Sequence, residues 1–84
     1  MNKELLEEYL YRSLVVKREE DLIGDTDEEM KKEVRALYEK LSPDFRDVLD
    51  EIDFYTDEII FATAPGSKDE DDILEEAMML IKYA

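Results

Sequence analysis

Gly24, Pro43, Pro65 and Gly66 are the only glycines and prolines in this 84-residue chain. Between them the apolar residues recur every three or four positions and do not alternate, which commits the chain to helices joined by short turns. Connections of two to six residues favour antiparallel neighbours, so the expected fold is all-α: a compact three- or four-helix bundle forming a single domain over residues 1–84. A chain of this length has room for one small core.

The spacing predicts four helical segments. The first, residues 3–23, stops at Gly24, a residue suited to a left-handed helix end. In the second, Thr26 and Glu29 are spaced as a capping box, and Met30, Val34, Leu37, Tyr38 and Leu41 form one stripe. Ser42 as cap and Pro43 in the first turn open a third segment. It sets Phe45, Val48, Leu49, Ile52, Tyr55, Ile59, Ile60 and Thr63 on one face, with a bend or break expected near Thr56, Asp57 and Glu58. After the turn at 64–66, Ser67 and Glu70 repeat the capping-box spacing, and Ile73, Leu74, Ala77, Met78, Leu80 and Ile81 line the fourth segment.

The first segment is two-sided. On a helical wheel Leu5, Leu6, Tyr9, Leu10, Val16 and Ile23 fill a broad face, while Tyr11, Leu14, Val15 and Leu22 sit roughly opposite. Such a helix is either the central member of the bundle or carries an exposed patch at Tyr11 and Val15 for dimerisation or partner docking. The run Tyr9 to Val16 is rich in aromatic and β-branched residues, which leaves a strand as a third reading.

Charge narrows the function. Twenty-five acids against eleven bases give a net of −14, with −4 on residues 1–41 and −10 on residues 42–84. That balance disfavours nucleic acid or an anionic membrane as a direct ligand and favours a basic protein partner. In the third segment Asp44, Asp47, Asp50, Glu51, Asp53, Asp57 and Glu58 line the side away from the apolar stripe, and neighbours three or four apart stand about 5–6 Å from one another. This approximates the spacing of phosphates along a nucleic-acid strand. The fourth segment adds Asp69, Glu70, Asp71, Asp72, Glu75 and Glu76. The competing reading is a solvated acidic face. On the second segment Lys31, Lys32, Arg35 and Lys40 intersperse with Glu28, Glu33 and Glu39, the pattern of ordinary pairing along a helix.

Catalytic and metal chemistry lack their usual residues. Without cysteine or histidine there is no thiolate site, and the commonest metal ligand and general base are missing. Neither Asp25–Asp27 nor Asp69–Asp72 supplies the central glycine of an EF-hand loop. Serine and threonine lack a base partner, and no glycine-rich phosphate loop is present. The chain is therefore expected to be no enzyme and to use no cofactor or metal. Apolar runs fall short of the ~18–20 residues needed to span a bilayer, and the N-terminus leads into acidic helix with no signal peptide, so a cytoplasmic location is expected.

The segments around Glu58 and Glu75 resemble all-helical nucleotide pyrophosphohydrolases, whose magnesium site uses Glu-Glu-x-x-Glu on one helix and Glu-x-x-Asp on the next. Glu58 and Glu75 stand for one acid of each motif, while Phe54 and Met79 occupy positions where that family carries acids. Leu41 to Leu49 resembles the opening of the DNA-binding region of sigma factors, but Asp53, Asp57 and Glu58 follow where a basic recognition helix is required.

Among Tyr9, Tyr11, Phe45, Phe54, Tyr55 and Phe61, most read as core. Phe54 is the exception, an apolar ring among acids resembling a hot spot within a charged rim. The expectation is thus a small acidic interaction module, a stoichiometric inhibitor of a basic nucleic-acid-binding protein that acts as a DNA or RNA mimic. Phage inhibitors, anti-CRISPRs, immunity proteins and antitoxins share this size and charge. The alternative is a structural or oligomeric adaptor, including a homodimer, acting through the apolar face of the first segment. A more remote one is a degenerate pyrophosphohydrolase. The candidate partner-binding residues are Asp44, Asp47, Asp50, Glu51, Asp53, Phe54, Asp57 and Glu58, with Tyr11 and Val15 on the first segment.

Overall fold

The computed structural model describes residues 2–25 and 27–84. It holds three helices, α1 (Asn2–Ile23), α2 (Glu28–Ala62) and α3 (Lys68–Lys82), and no strand among the described residues. The stretch from Tyr9 to Val16 lies within α1, so the strand reading is corrected: no second extended segment is present to pair with it, and an isolated strand is not stable.

The turns follow local chemistry. Gly24 ends α1 with φ +82° and donates its N–H to the Glu20 carbonyl at 3.0 Å. Thr26, half of the expected capping box, lies outside the described residues; the N-cap of α2 is Asp27, whose carboxylate accepts from Glu29 N at 2.9 Å. Between α2 and α3, Ala64–Pro65–Gly66–Ser67 closes a turn through Ser67 N to Ala64 O at 3.1 Å, with Gly66 at φ +74°. Proline then glycine is the order that a type II turn requires. Ser67 caps α3 as expected, its hydroxyl accepting from Glu70 N at 3.2 Å.

The second and third expected segments both form, as two helical arms of α2 joined at a kink. Pro43 lies inside α2 and Phe45 leaves helical geometry at φ −131°, ψ 27°. Proline has no N–H for the carbonyl four residues back, and its ring crowds that group. That carbonyl belongs to Glu39, and Ser42 Oγ approaches it at 3.4 Å as a substitute donor. Ser42 therefore supports a bend and does not cap a new helix. A straight 35-residue helix would measure about 52 Å, but the longest extent of the molecule is 32 Å. The two arms, residues 28–44 and 46–62, fold towards each other, and Tyr38 on one donates its hydroxyl to Asp50 Oδ1 on the other at 3.2 Å. The expected break near Thr56 is absent; Thr56 is fully buried in continuous helix.

Leu6, Tyr9 and Leu10 of α1 meet Leu41, Leu49 and Ile52 of α2 and Ala77 and Ile81 of α3 in one core cluster. Each large apolar side chain buried there is worth about 1.5–3 kcal/mol. α1 is the central helix: Arg12 reaches Glu33 on the first arm of α2, Lys17 reaches Asp57 on the second, and Arg18 reaches Glu70 on α3. Two assignments on the wheel change accordingly. Leu14 is buried, while Ile23, at the C-terminal end of α1, is 76% exposed. Among the described residues no helix is long and apolar enough to cross a membrane.

Two buried hydroxyls give measurable consequences. Ser13 is 2% exposed, and its Oγ is the one buried side-chain polar atom among the described residues with no hydrogen-bond partner. It lies near the Tyr9 phenol, whose ionisation it favours, so Ser13→Ala should change the stability by less than ~1 kcal/mol; a larger fall in the melting temperature would show that the hydroxyl is firmly bonded there.

Tyr9 is 3% exposed and donates to Asp53 Oδ1 at 2.8 Å. Burial first, then that bond and the Asp53 charge, push its phenol up from the ordinary 10.0. The folded state thus prefers the neutral phenol, and the stability this confers is complete below about pH 10 and is lost as the pH rises beyond it. Thermal melts above that pH should fall, and Tyr9→Phe should flatten the fall.

Candidate functional site

The solvent face of the second α2 arm is built by helical repeat. Asp47, Glu51, Phe54, Glu58 and Phe61 follow one another at steps of four, three, four and three residues and so stand in one stripe. All five are exposed. The arm's opposite side, through Leu49, Ile52, Thr56 and Ile59, is buried. Burial of that side fixes the rotation of the arm and holds the stripe outward.

The seven acidic-face candidates separate by what they touch. Asp44, Asp47, Glu51 and Glu58 are exposed and have no cation partner among the described residues. Asp50 is exposed and holds the Tyr38 hydroxyl. Asp53 is half-buried and turned towards α1, where it accepts from Tyr9 and stands 3.6 Å from Lys17 Nζ. Asp57 is exposed and lies 2.9 Å from the same ammonium. Lys17 Nζ also donates to Thr56 Oγ1 at 2.7 Å and to the Asp53 carbonyl at 3.2 Å. This network clamps α1 to α2, so Asp53 is a structural residue and Asp57 is partly neutralised. Neither position could be distinguished from its acidic neighbours without knowing where Lys17 and Tyr9 lie.

Glu70 leaves the acidic row of α3 for the same reason. It is buried, accepting from Gly66 N and from the Arg18 guanidinium. Asp69, Asp71, Asp72, Glu75 and Glu76 stay exposed. On the first α2 arm, Arg12–Glu33 and Lys31–Glu20 at 3.1 Å tie the arm to α1; among the described residues no ion pair runs along the arm itself, so the expected pairing along one helix is replaced by helix–helix contacts.

Phe54 is 63% exposed, as the sequence suggests, its ring edge-on to Tyr55 with centroids 6.1 Å apart. Phe61 is more exposed still, at 80%, whereas Tyr9 is buried and Phe45 and Tyr55 pack on the core. The seven-residue step from Phe54 to Phe61 carried the signal, placing the two rings on one side about 10.5 Å apart along the axis. Phe61 also walls a groove of ≈ 370 Å³ between α1 and α2, lined further by Lys17, Glu20, Asp21, Asp57 and Ile60. Of its three carboxylates, Asp57 pairs with Lys17 and Glu20 with Lys31, which leaves Asp21 as the one without a cation partner among the described residues.

Among the described residues no three carboxylates converge closely enough to hold a metal ion. On α1, Tyr11 and Val15 are 49% and 43% exposed, and the Tyr11 hydroxyl touches Met78 Sδ at 3.9 Å. Compared with protein-family models, curated proteins and solved structures, the chain shows no match to any of them.

Proposed function

We propose that the protein binds a basic, nucleic-acid-handling protein stoichiometrically and blocks it by presenting a rigid carboxylate surface in place of a phosphate backbone. The observation that carries this reading is the outer stripe of α2, where Asp47, Glu51 and Glu58 have no cation partner among the described residues and stand beside Phe54 and Phe61. Lysines and arginines of a nucleic-acid groove attract carboxylates by the same charge that attracts phosphates.

Phe54, Phe61 and the adjoining groove would select one basic partner among many, since charge alone steers association more than it discriminates.

The test is affinity capture from a nuclease-treated lysate of the organism that makes the protein, washed at low and at high salt and read by mass spectrometry. Retention of a basic nucleic-acid-binding protein at low salt and its release at high salt is the expected result. A salt-resistant neutral partner, or recovery of the bait alone, would remove the mimicry reading.

A further inference from the structure

One stripe of α1 stays uncovered by the bundle, and its sequence has its own logic. Positions 4, 8, 11, 15, 18 and 22 are separated by alternating steps of four and three residues, the spacing of a coiled-coil seam. They carry Glu4, Glu8, Tyr11, Val15, Arg18 and Leu22. Leu22 at 68% joins the half-exposed Tyr11 and Val15 and the exposed Glu4, while Glu8 holds Arg12 at 2.9 Å with its side chain still partly open.

We propose that this seam binds a second copy of the chain, with the two α1 helices antiparallel about a two-fold axis that passes midway between Tyr11 and Val15. In that register Tyr11 faces Val15 of the second copy, Glu8 faces its Arg18 and Glu4 faces its Leu22, each contact occurring twice by symmetry. A parallel pairing sets Glu4, Glu8 and Arg18 each against its own like charge, which selects the antiparallel arrangement. Arg18 already holds Glu70, but a guanidinium has five N–H donors and keeps others free for a second carboxylate.

Charge also names the occupant. Residues 1–41, which form α1 and most of the first α2 arm, hold eight of the eleven cations and a net of −4. This is the side on which two molecules of charge −14 meet with least repulsion, whereas a basic protein is drawn to the other half. Beside the seam, Ala36, Leu37 and Lys40 line a groove of ≈ 310 Å³ between α1 and α2, which gives the side chains of an approaching helix room to seat. The surface is separate from the acidic stripe and stands whatever that stripe binds.

Sedimentation equilibrium of the intact chain across a wide concentration range tests this. The mass should rise from 9.9 kDa towards twice that value, at lower concentration when salt is added, because salt screens the repulsion between like net charges. The Tyr11→Ser, Val15→Ser double variant should stay monomeric. A cross-linking experiment fixes the register even if that variant folds poorly. The chain has no cysteine, so a mixture of Tyr11→Cys and Val15→Cys single variants should oxidise to a mixed disulfide dimer well ahead of either variant alone. A wild-type mass of 9.9 kDa at every concentration and salt, a serine variant as dimeric as wild type, or preferential Tyr11→Cys self-linking would each overturn the proposal.

Discussion

Replacing Asp47, Glu51 and Glu58 together by lysine lowers affinity for the captured basic protein by about 100-fold or more, while the helix content and melting temperature stay at wild-type values or above. Surface ion pairs are worth about 0–1 kcal/mol and close interfacial pairs about 1.5–7 kcal/mol. Three partly desolvated pairs at about 1 kcal/mol each amount to ~3 kcal/mol, which is roughly 100-fold. Reversal adds repulsion to that loss and shifts the net charge from −14 to about −8, weakening long-range steering as well. The fold should not suffer, because all three side chains are exposed and unpaired among the described residues. The checks are a titration of the variant against the captured protein and a thermal melt followed by circular dichroism. Affinity within threefold of wild type would sink the mimicry model.

Leu49→Ala unfolds much of the population at physiological temperature. Leu49 has no solvent exposure and sits just past the kink, in the cluster that joins all three helices. Truncating a fully buried leucine costs about 2–5 kcal/mol, the upper part of the range where the site cannot collapse onto the cavity. A chain of 84 residues at about 0.05–0.15 kcal/mol per residue has only about 4–13 kcal/mol in total, and carboxylate repulsion draws this acidic chain towards the lower end. Urea melts should show a midpoint reduced by half or more. A loss under ~1 kcal/mol would mean that the packing at the kink does not hold the bundle together.

Much of the fold was legible from periodicity and punctuation. Gly24, the Pro65–Gly66 turn and the Ser67 cap each work through bonds within four residues, so their chemistry is present in the local sequence. The apolar stripes of the second, third and fourth expected segments are the faces that pack on the core. The Ser42–Pro43 pair was ambiguous for a physical reason: proline suits the first turn of a new helix as well as a bend in a continuing one. Ser42 reaching the Glu39 carbonyl, and Tyr38 meeting Asp50 across the bend, settle it as a bend. On α1, Leu14 and Ile23 changed sides because exposure depends on where neighbouring helices end as well as on the wheel.

The candidate site divides the same way. Sequence by itself determined the acidic charge, its concentration in the second half of the chain, and the helical spacing that lines up Asp47, Glu51, Phe54 and Glu58, because these depend on composition and on a 3.6-residue period alone. Tertiary structure decided which carboxylates are available. Asp53 and Glu70 are turned inward because Tyr9, Lys17 and Arg18 of the central helix lie opposite them, and Phe61 is left outside because burial of Leu49, Ile52, Thr56 and Ile59 turns its side of the arm to solvent. A charge row on one helix is local information, while its neutralisation by a cation 36 or 52 residues away exists only once the helices have packed.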